Sequence, residues 1–187
     1  MKILYINACV RNNSRTNLLA RHLLGRLSGN ITEVRLELEN IKPLNLELLT
    51  KRENLIIESN YDDEIFKYAK QFKEADIIVI SSPYYDLSFS SLLKIYLENI
   101  NCIGVTFNYD HKGNPISLCK ANKLYYVTTA GGYITDDSFG FGYVKSLANS
   151  FYNIHNIEYI KAEALDIIGS NVDEILNTKM KEIDNLF

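Results

Sequence analysis

A chain of 187 residues, 47% hydrophobic and 23% charged, has the length of one domain and enough apolar material for a sizeable core. Its net charge of −3, without a basic stripe, argues against nucleic acid as a partner, and no apolar run reaches the ~20 residues of a membrane helix. Three scattered cysteines with no Cys-x-x-Cys, and three dispersed histidines, argue against a disulfide framework and a metal site. The apolar start MKILYINA is too short for a signal peptide and no small-residue cleavage site follows it, so a cytoplasmic protein is expected.

In chain order, the nearly continuous apolar runs at 2–7 (KILYIN) and 76–82 (DIIVISS) fit strands buried on both faces of a parallel sheet. After the first, Leu19, Ala20, Leu23, Leu24 and Leu27 share one face of a helix that Gly29 ends. Residues 32–38 (TEVRLEL) alternate Val34, Leu36 and Leu38 with Glu33, Arg35 and Glu37, the pattern of an edge strand. A long connection, 39–61, has room for a short helix. Ile65, Tyr68, Ala69 and Phe72 make a helical stripe before the second buried strand; Leu92, Leu93, Tyr96, Leu97 and Ile100 make another after it. A second long connection, 101–122, carries turn signals at Gly113 and Pro115. Residues 123–132 read as a strand ending in glycines, Val144, Leu147, Ala148 and Phe151 as a helix, 157–165 as a fifth strand and 170–186 as a closing helix. With no internal repeat and no low-complexity tract, this alternation predicts one α/β domain over 1–187. Its five-stranded parallel sheet has the order 2-1-3-4-5, with helices on both faces.

In such a sheet, ligands bind beyond the carboxyl ends of the strands, where strand order reverses. Loops 8–17, 83–91 and 129–138 occupy that edge. The first opens a helix whose free N–H groups and dipole hold phosphate. Ser14 and Thr16 add hydroxyls there, Asn17 an amide and Arg15 a charge, although Ser14 serves equally well as a plain N-cap. In the second, Pro83 stops the strand and Tyr84, Tyr85 and Asp86 follow. In the third, Gly131 and Gly132 allow close backbone approach. A phosphate grip, an aromatic wall and a glycine wall match an elongated ligand with a phosphate at one end and a flat heterocycle at the other. Flavin mononucleotide (FMN) fits best.

The segments SRTNLLA (14–20), SPYYDLSFSSLLKIYLENI (82–100), GVTFNY (104–109), TTAGG (128–132) and IEYIKAEAL (157–165) follow one another in a familiar order. They resemble the FMN-dependent NAD(P)H:quinone oxidoreductase and azoreductase family, a flavodoxin-like three-layer sandwich. The resemblance covers almost the whole chain. It implies FMN as cofactor and NADH or NADPH as co-substrate. Hydride would pass by way of flavin N5 to quinones, azo or nitroaromatic compounds in a ping-pong order, with no catalytic side chain and no metal. It also implies a homodimer. By the same resemblance, Cys9, Ser14, Arg15, Thr16 and Asn17 line the phosphate and ribityl chain. Tyr84, Tyr85, Asp86 and Leu87 border one side of the ring system, and Thr129, Ala130, Gly131 and Gly132 bound another. Tyr109 and Phe151 correspond to aromatics placed over the flavin, often across a dimer interface. The chain departs from the family where Cys9 replaces a frequent Ser, Tyr84 a Met, Asp86 an Asn and Leu87 a Phe. These changes bear on acceptor and redox potential more than on FMN.

Two other readings exist. An electron-carrying flavodoxin would be strongly acidic and carry a Thr-x-Thr-Gly-x-Thr phosphate loop; this chain has neither feature. A low-molecular-weight phosphatase would use Cys9 and Arg15 as a Cys-x5-Arg motif. It would also need an activated thiolate and a general acid from an Asp-Pro pair. The three prolines follow Lys42, Ser82 and Asn114, so the pair is missing.

Overall fold

The computed structural model describes all 187 residues. Its main sheet has five parallel strands: β1 (Lys2–Asn7), β2 (Asn30–Arg35), β3 (Ile77–Ser81), β6 (Lys123–Thr129) and β7 (Asn156–Ala162), in the order β2-β1-β3-β6-β7. This is the expected order 2-1-3-4-5, counted within the sheet. The two remaining strands, β4 (Phe107–Tyr109) and β5 (Pro115–Ser117), form a separate antiparallel hairpin. Period-2 alternation along the buried strands sorts side chains to two faces. Leu4, Ile6, Ile78, Ile80, Leu124 and Tyr126 point to one core. That core is covered by α3 (Lys67–Glu74), α4 (Ser91–Ile100) and α5 (Phe141–Ser150). Ile3, Tyr5, Ile77, Val79, Tyr125 and Val127 point to the other, covered by α1 (Arg15–Leu24) and α6 (Val172–Asp184). No helix is long and apolar enough to cross a membrane.

Several details differ from the sequence expectation, among them the end of β6 at Thr129 rather than at the glycines. Helix α1 ends at Leu24 with Gly25 as its cap, not at Gly29. Gly29 lies instead where the chain passes the Met1 carbonyl, and a Cβ there would stand 2.6 Å from that oxygen. Strand β2 stops at Arg35, paired with the last residue of β1, so Leu36 is buried but Leu38 turns out to solvent. The connection 39–61 holds a twelve-residue helix, α2 (Leu46–Ile57), none of whose residues is buried. Strand β7 ends at Ala162, and residues 164–166 instead bond to the loop that follows β6. The two long connections meet where Gly104, at φ +80°, leaves room for the Tyr61 hydroxyl: a Cβ would lie 2.2 Å from it.

Candidate functional site

Strands β1, β3 and β6 end side by side, and the loops that leave them enclose a cleft of about 450 Å³, within the range of small-ligand sites. Ser14, Arg15 and Thr16 line it from the first loop, with Arg11 and Asn13 beside them. Pro83, Tyr84 and Tyr85 line it from the second, and Thr129, Ala130 and Gly131 from the third. Leu165 and Asp166 close the remaining side. Another cavity, of about 330 Å³, lies at the opposite, amino edge of the sheet between β1, β2 and the end of α3, where no helix begins.

The first loop ends in an extended Ser14 whose hydroxyl accepts from Asn17 N at 3.2 Å and so caps α1. Thr16 is buried, and its hydroxyl bonds that of Thr129 at 2.6 Å, tying the first loop to the third. Arg15 reaches across the cleft and donates to Asp166 Oδ1 at 2.7 Å and to the Leu165 carbonyl at 3.2 Å.

Cys9 and Asn17 do not line the cleft; they lie beneath it. Tyr5 is fully buried in mid-strand, so its hydroxyl needs partners, and it donates to Asn17 Oδ1 at 2.8 Å beside Ser81 Oγ. Cys9 Sγ sits 3.5 Å from Ser81 Oγ, and burial pushes the thiol above its ordinary value. A nucleophilic cysteine needs the opposite shift and access to its substrate. With Arg15 engaged elsewhere, the Cys-x5-Arg spacing is therefore not a phosphatase loop.

Below these residues runs a polar chain that the sequence did not point to. Asn7 Oδ1 accepts from Cys9 N at 3.0 Å, Asn7 Nδ2 donates to Glu33 Oε1 at 3.0 Å, and Arg21 grips both Glu33 oxygens at 2.6 Å. Burial alone raises the Glu33 carboxyl, but Arg21, Asn7 and Arg35 outweigh it and hold the group below its ordinary value of 4.5. A lowered carboxyl contributes stability that is complete above the unfolded value and fades as pH falls through the folded one. Glu33→Gln should therefore flatten the fall in stability below about pH 4.5, as read by urea unfolding across pH. Parallel profiles for parent and variant would show that this ion pair contributes nothing.

The second loop makes a two-residue turn. Tyr85 and Ser88 exchange both backbone bonds at 2.8 Å, and Asp86 (φ 49°) and Leu87 (φ 67°) sit in the left-handed region. Asp accepts that conformation readily and Leu does not. Both side chains are exposed and stand outside the cleft lining. The loop is pinned to the third by two hydroxyls: Tyr84 to the Asp136 carbonyl at 2.9 Å and Ser88 to the Phe139 carbonyl at 2.6 Å.

In the third loop, only one of the two glycines is demanded by its neighbours. A Cβ on Gly131 would lie 2.4 Å from Asp166 Oδ2, whereas one on Gly132 would meet open space, and Gly132 stands outside the lining. Backbone bonds from Ala130 N to Ala162 O, Ala164 N to Gly132 O, Leu165 N to Ala130 O and Asp166 N to Gly131 O knit this loop to the chain after β7. Tyr109 and Phe151 are also absent from the lining. Both pack on Phe107, with ring centroids at 5.5 and 4.6 Å, at the β4–β5 hairpin and the end of α5.

A parallel sheet of this order, with a helix N-terminus, tyrosines and a bare glycine around one carboxyl-edge cleft, defines a flavodoxin-like protein. A protein-family model described as flavodoxin-like fold matches residues 1–187, and the chain belongs to that family. An FMN-dependent NADH:quinone oxidoreductase of Coprothermobacter proteolyticus is 33% identical over 99% of this chain and 97% of its own. One of Clostridium perfringens is 33% identical over 97% and 93%. Among solved structures, an azoreductase from Bacillus anthracis superposes with a TM-score of 0.85 at 21% identity, covering 100% of this chain and 98% of its own. A second B. anthracis azoreductase, in complex with FMN, gives 0.82 at 22%, covering 99% and 96%. At these identities the two structures attest the fold.

Proposed function

We propose that the protein is an FMN-dependent oxidoreductase that draws hydride from NADH or NADPH and reduces quinones, azo or nitroaromatic compounds. The observation that carries this reading is the meeting of Ser14, Tyr85 and Gly131 around a single cleft. Full-length relatives named FMN-dependent NADH:quinone oxidoreductases support it. The donor set suits FMN. The first N–H groups of α1, the Ser14 and Thr16 hydroxyls and the Arg15 guanidinium present positive charge and donors to a phosphate. Cys9 and Asn17 hold that loop from below. Tyr84 and Tyr85 flank the ring system, with exposed Asp86 and Leu87 at the turn beyond them, and Thr129, Ala130 and Gly131 line the other side without a large side chain. When bound, FMN would supply the redox chemistry, hydride transfer by way of N5 in a ping-pong order, while Ser14, Arg15 and Thr16 would hold its phosphate. The chain's own residues bind, orient and shield the reactants.

The protein acts as a cytoplasmic homodimer in this reading. Tyr109 is exposed and Phe151 half-buried beside it, away from their own cleft, and a second copy would bring both over the acceptor. Exposed Leu87, Tyr133 and Phe139 add apolar surface suited to such a contact. The test is an FMN titration followed by anaerobic NADH. Quenched flavin fluorescence and rapid bleaching of the visible band are expected. A protein that leaves FMN fluorescence unchanged sinks the reading; one that binds FMN but is inert to NADH is a carrier.

A further inference from the structure

We propose that Asp166 is a built-in rival anion that competes with the FMN phosphate for Arg15 and so sets how tightly the cofactor is held. This rests on the reading of the cleft as an FMN site, and it concerns a positioning residue rather than a group that touches the reacting atoms.

Three anchors make the placement of Asp166 a feature of the fold rather than a chance surface contact. Its backbone N–H bonds the Gly131 carbonyl at 2.9 Å, and the preceding Leu165 N–H bonds Ala130 O at 3.2 Å, so its chain is fastened to the cleft wall. Its Oδ2 occupies the space that a Cβ at residue 131 would fill, which makes glycine the residue that fits there. Its Oδ1 receives Arg15 Nη1 at 2.7 Å, and the same nitrogen also donates to the Leu165 carbonyl. Arg15 is the second residue of the phosphate-facing turn, and both members of the pair line the cleft.

The side chains of the pair are 40% and 68% accessible, so it adds little to stability. Its effect falls on the ligand. A guanidinium already facing a carboxylate offers an incoming phosphate little net charge, and the carboxylate repels it. That leaves Arg11, the helix end and the hydroxyls as the uncompensated attraction at this end of the cleft. A single charge a few ångströms from a phosphate, at a wet cleft, changes affinity by about three- to tenfold. FMN is thereby kept exchangeable, and the selectivity for FMN over its phosphate-free analogue, riboflavin, is held down.

The test is fluorescence titration of the full chain with FMN and with riboflavin, for the parent, Asp166→Asn, Arg15→Gln and the double variant. Asp166→Asn should tighten FMN by about three- to tenfold, leave riboflavin unchanged and steepen the salt dependence of FMN binding. In the Arg15→Gln background only the smaller gain from relieved repulsion should remain, because no guanidinium is freed. An unchanged or weaker FMN affinity in Asp166→Asn overturns the proposal. So does an equal gain for riboflavin, or a gain undiminished without Arg15. A parent that binds neither flavin sinks the FMN reading itself, and the parent titration alone reveals that outcome. Asn matches Asp in size at an exposed position, so a folding defect is not expected, and circular dichroism checks it.

Discussion

Ser14→Gly combined with Thr16→Val weakens FMN binding on the order of a hundredfold and leaves riboflavin within about threefold of the parent. Ser14 and Thr16 are the two hydroxyls that line the cleft at the start of α1. A hydrogen bond to a charged group contributes about 1.5–3 kcal/mol, so losing two removes about 3–6 kcal/mol, less what water restores. Glycine keeps most of the N-cap conformation, which costs only a few tenths of a kcal/mol against serine. Valine keeps the shape of buried Thr16 while deleting its bond to Thr129. Riboflavin has the ring and ribityl chain without the phosphate, so it reports on the other end of the cleft. An FMN dissociation constant that moves less than about tenfold would mean the phosphate is held elsewhere.

Phe72→Ala destabilises the fold by about 3–5 kcal/mol, a large part of the ~5–15 kcal/mol of a typical domain. Phe72 on α3 is fully buried, and its ring packs against Tyr152 with centroids at 4.7 Å. Tyr152 is itself fastened through its hydroxyl to Asn101, and the surrounding sheet is buried on this face, so the hole cannot easily collapse. Urea unfolding checks the value, and a loss under about 1.5 kcal/mol would show that α3 relaxes into the gap.

The sheet was legible because β1, β3 and β6 are covered on both faces, which leaves near-continuous apolar runs. Helix α2 was legible only as room for a short helix, because its stripe of Leu48, Leu49, Leu55 and Ile56 is no more than half-buried and is interrupted by Arg52, while Leu46 and Ile57 are exposed. The three cleft loops followed from the rule that ligands sit at the carboxyl edge, and Ser14, Arg15, Thr16, Tyr84, Tyr85 and Thr129 to Gly131 meet there. Cys9 and Asn17 looked like lining residues, but the buried Tyr5 hydroxyl and the Asn7 side chain draw this part of the loop inward. Tyr109 and Phe151 were assigned by family likeness, and within one chain Phe107 gathers them elsewhere. Asp166 gave no signal. Its partner Arg15 lies 151 positions away, and the need for glycine at 131 arises from a carboxylate 35 residues downstream, a contact no local pattern encodes.

The two long walls of the cleft differ in compliance. One is stitched by main-chain bonds between residues 130–132 and 162–166, in effect an extension of the sheet. The other, the tyrosine turn, keeps one main-chain bond to β6, from Tyr84 N to Thr129 O at 3.0 Å; beyond it the turn is hung from the 136–139 segment by two side-chain hydroxyls and bends through a leucine in an unfavourable backbone region. Bulky molecules of varied outline will therefore be accommodated by yielding of the turn, while the stitched wall keeps the cofactor's register.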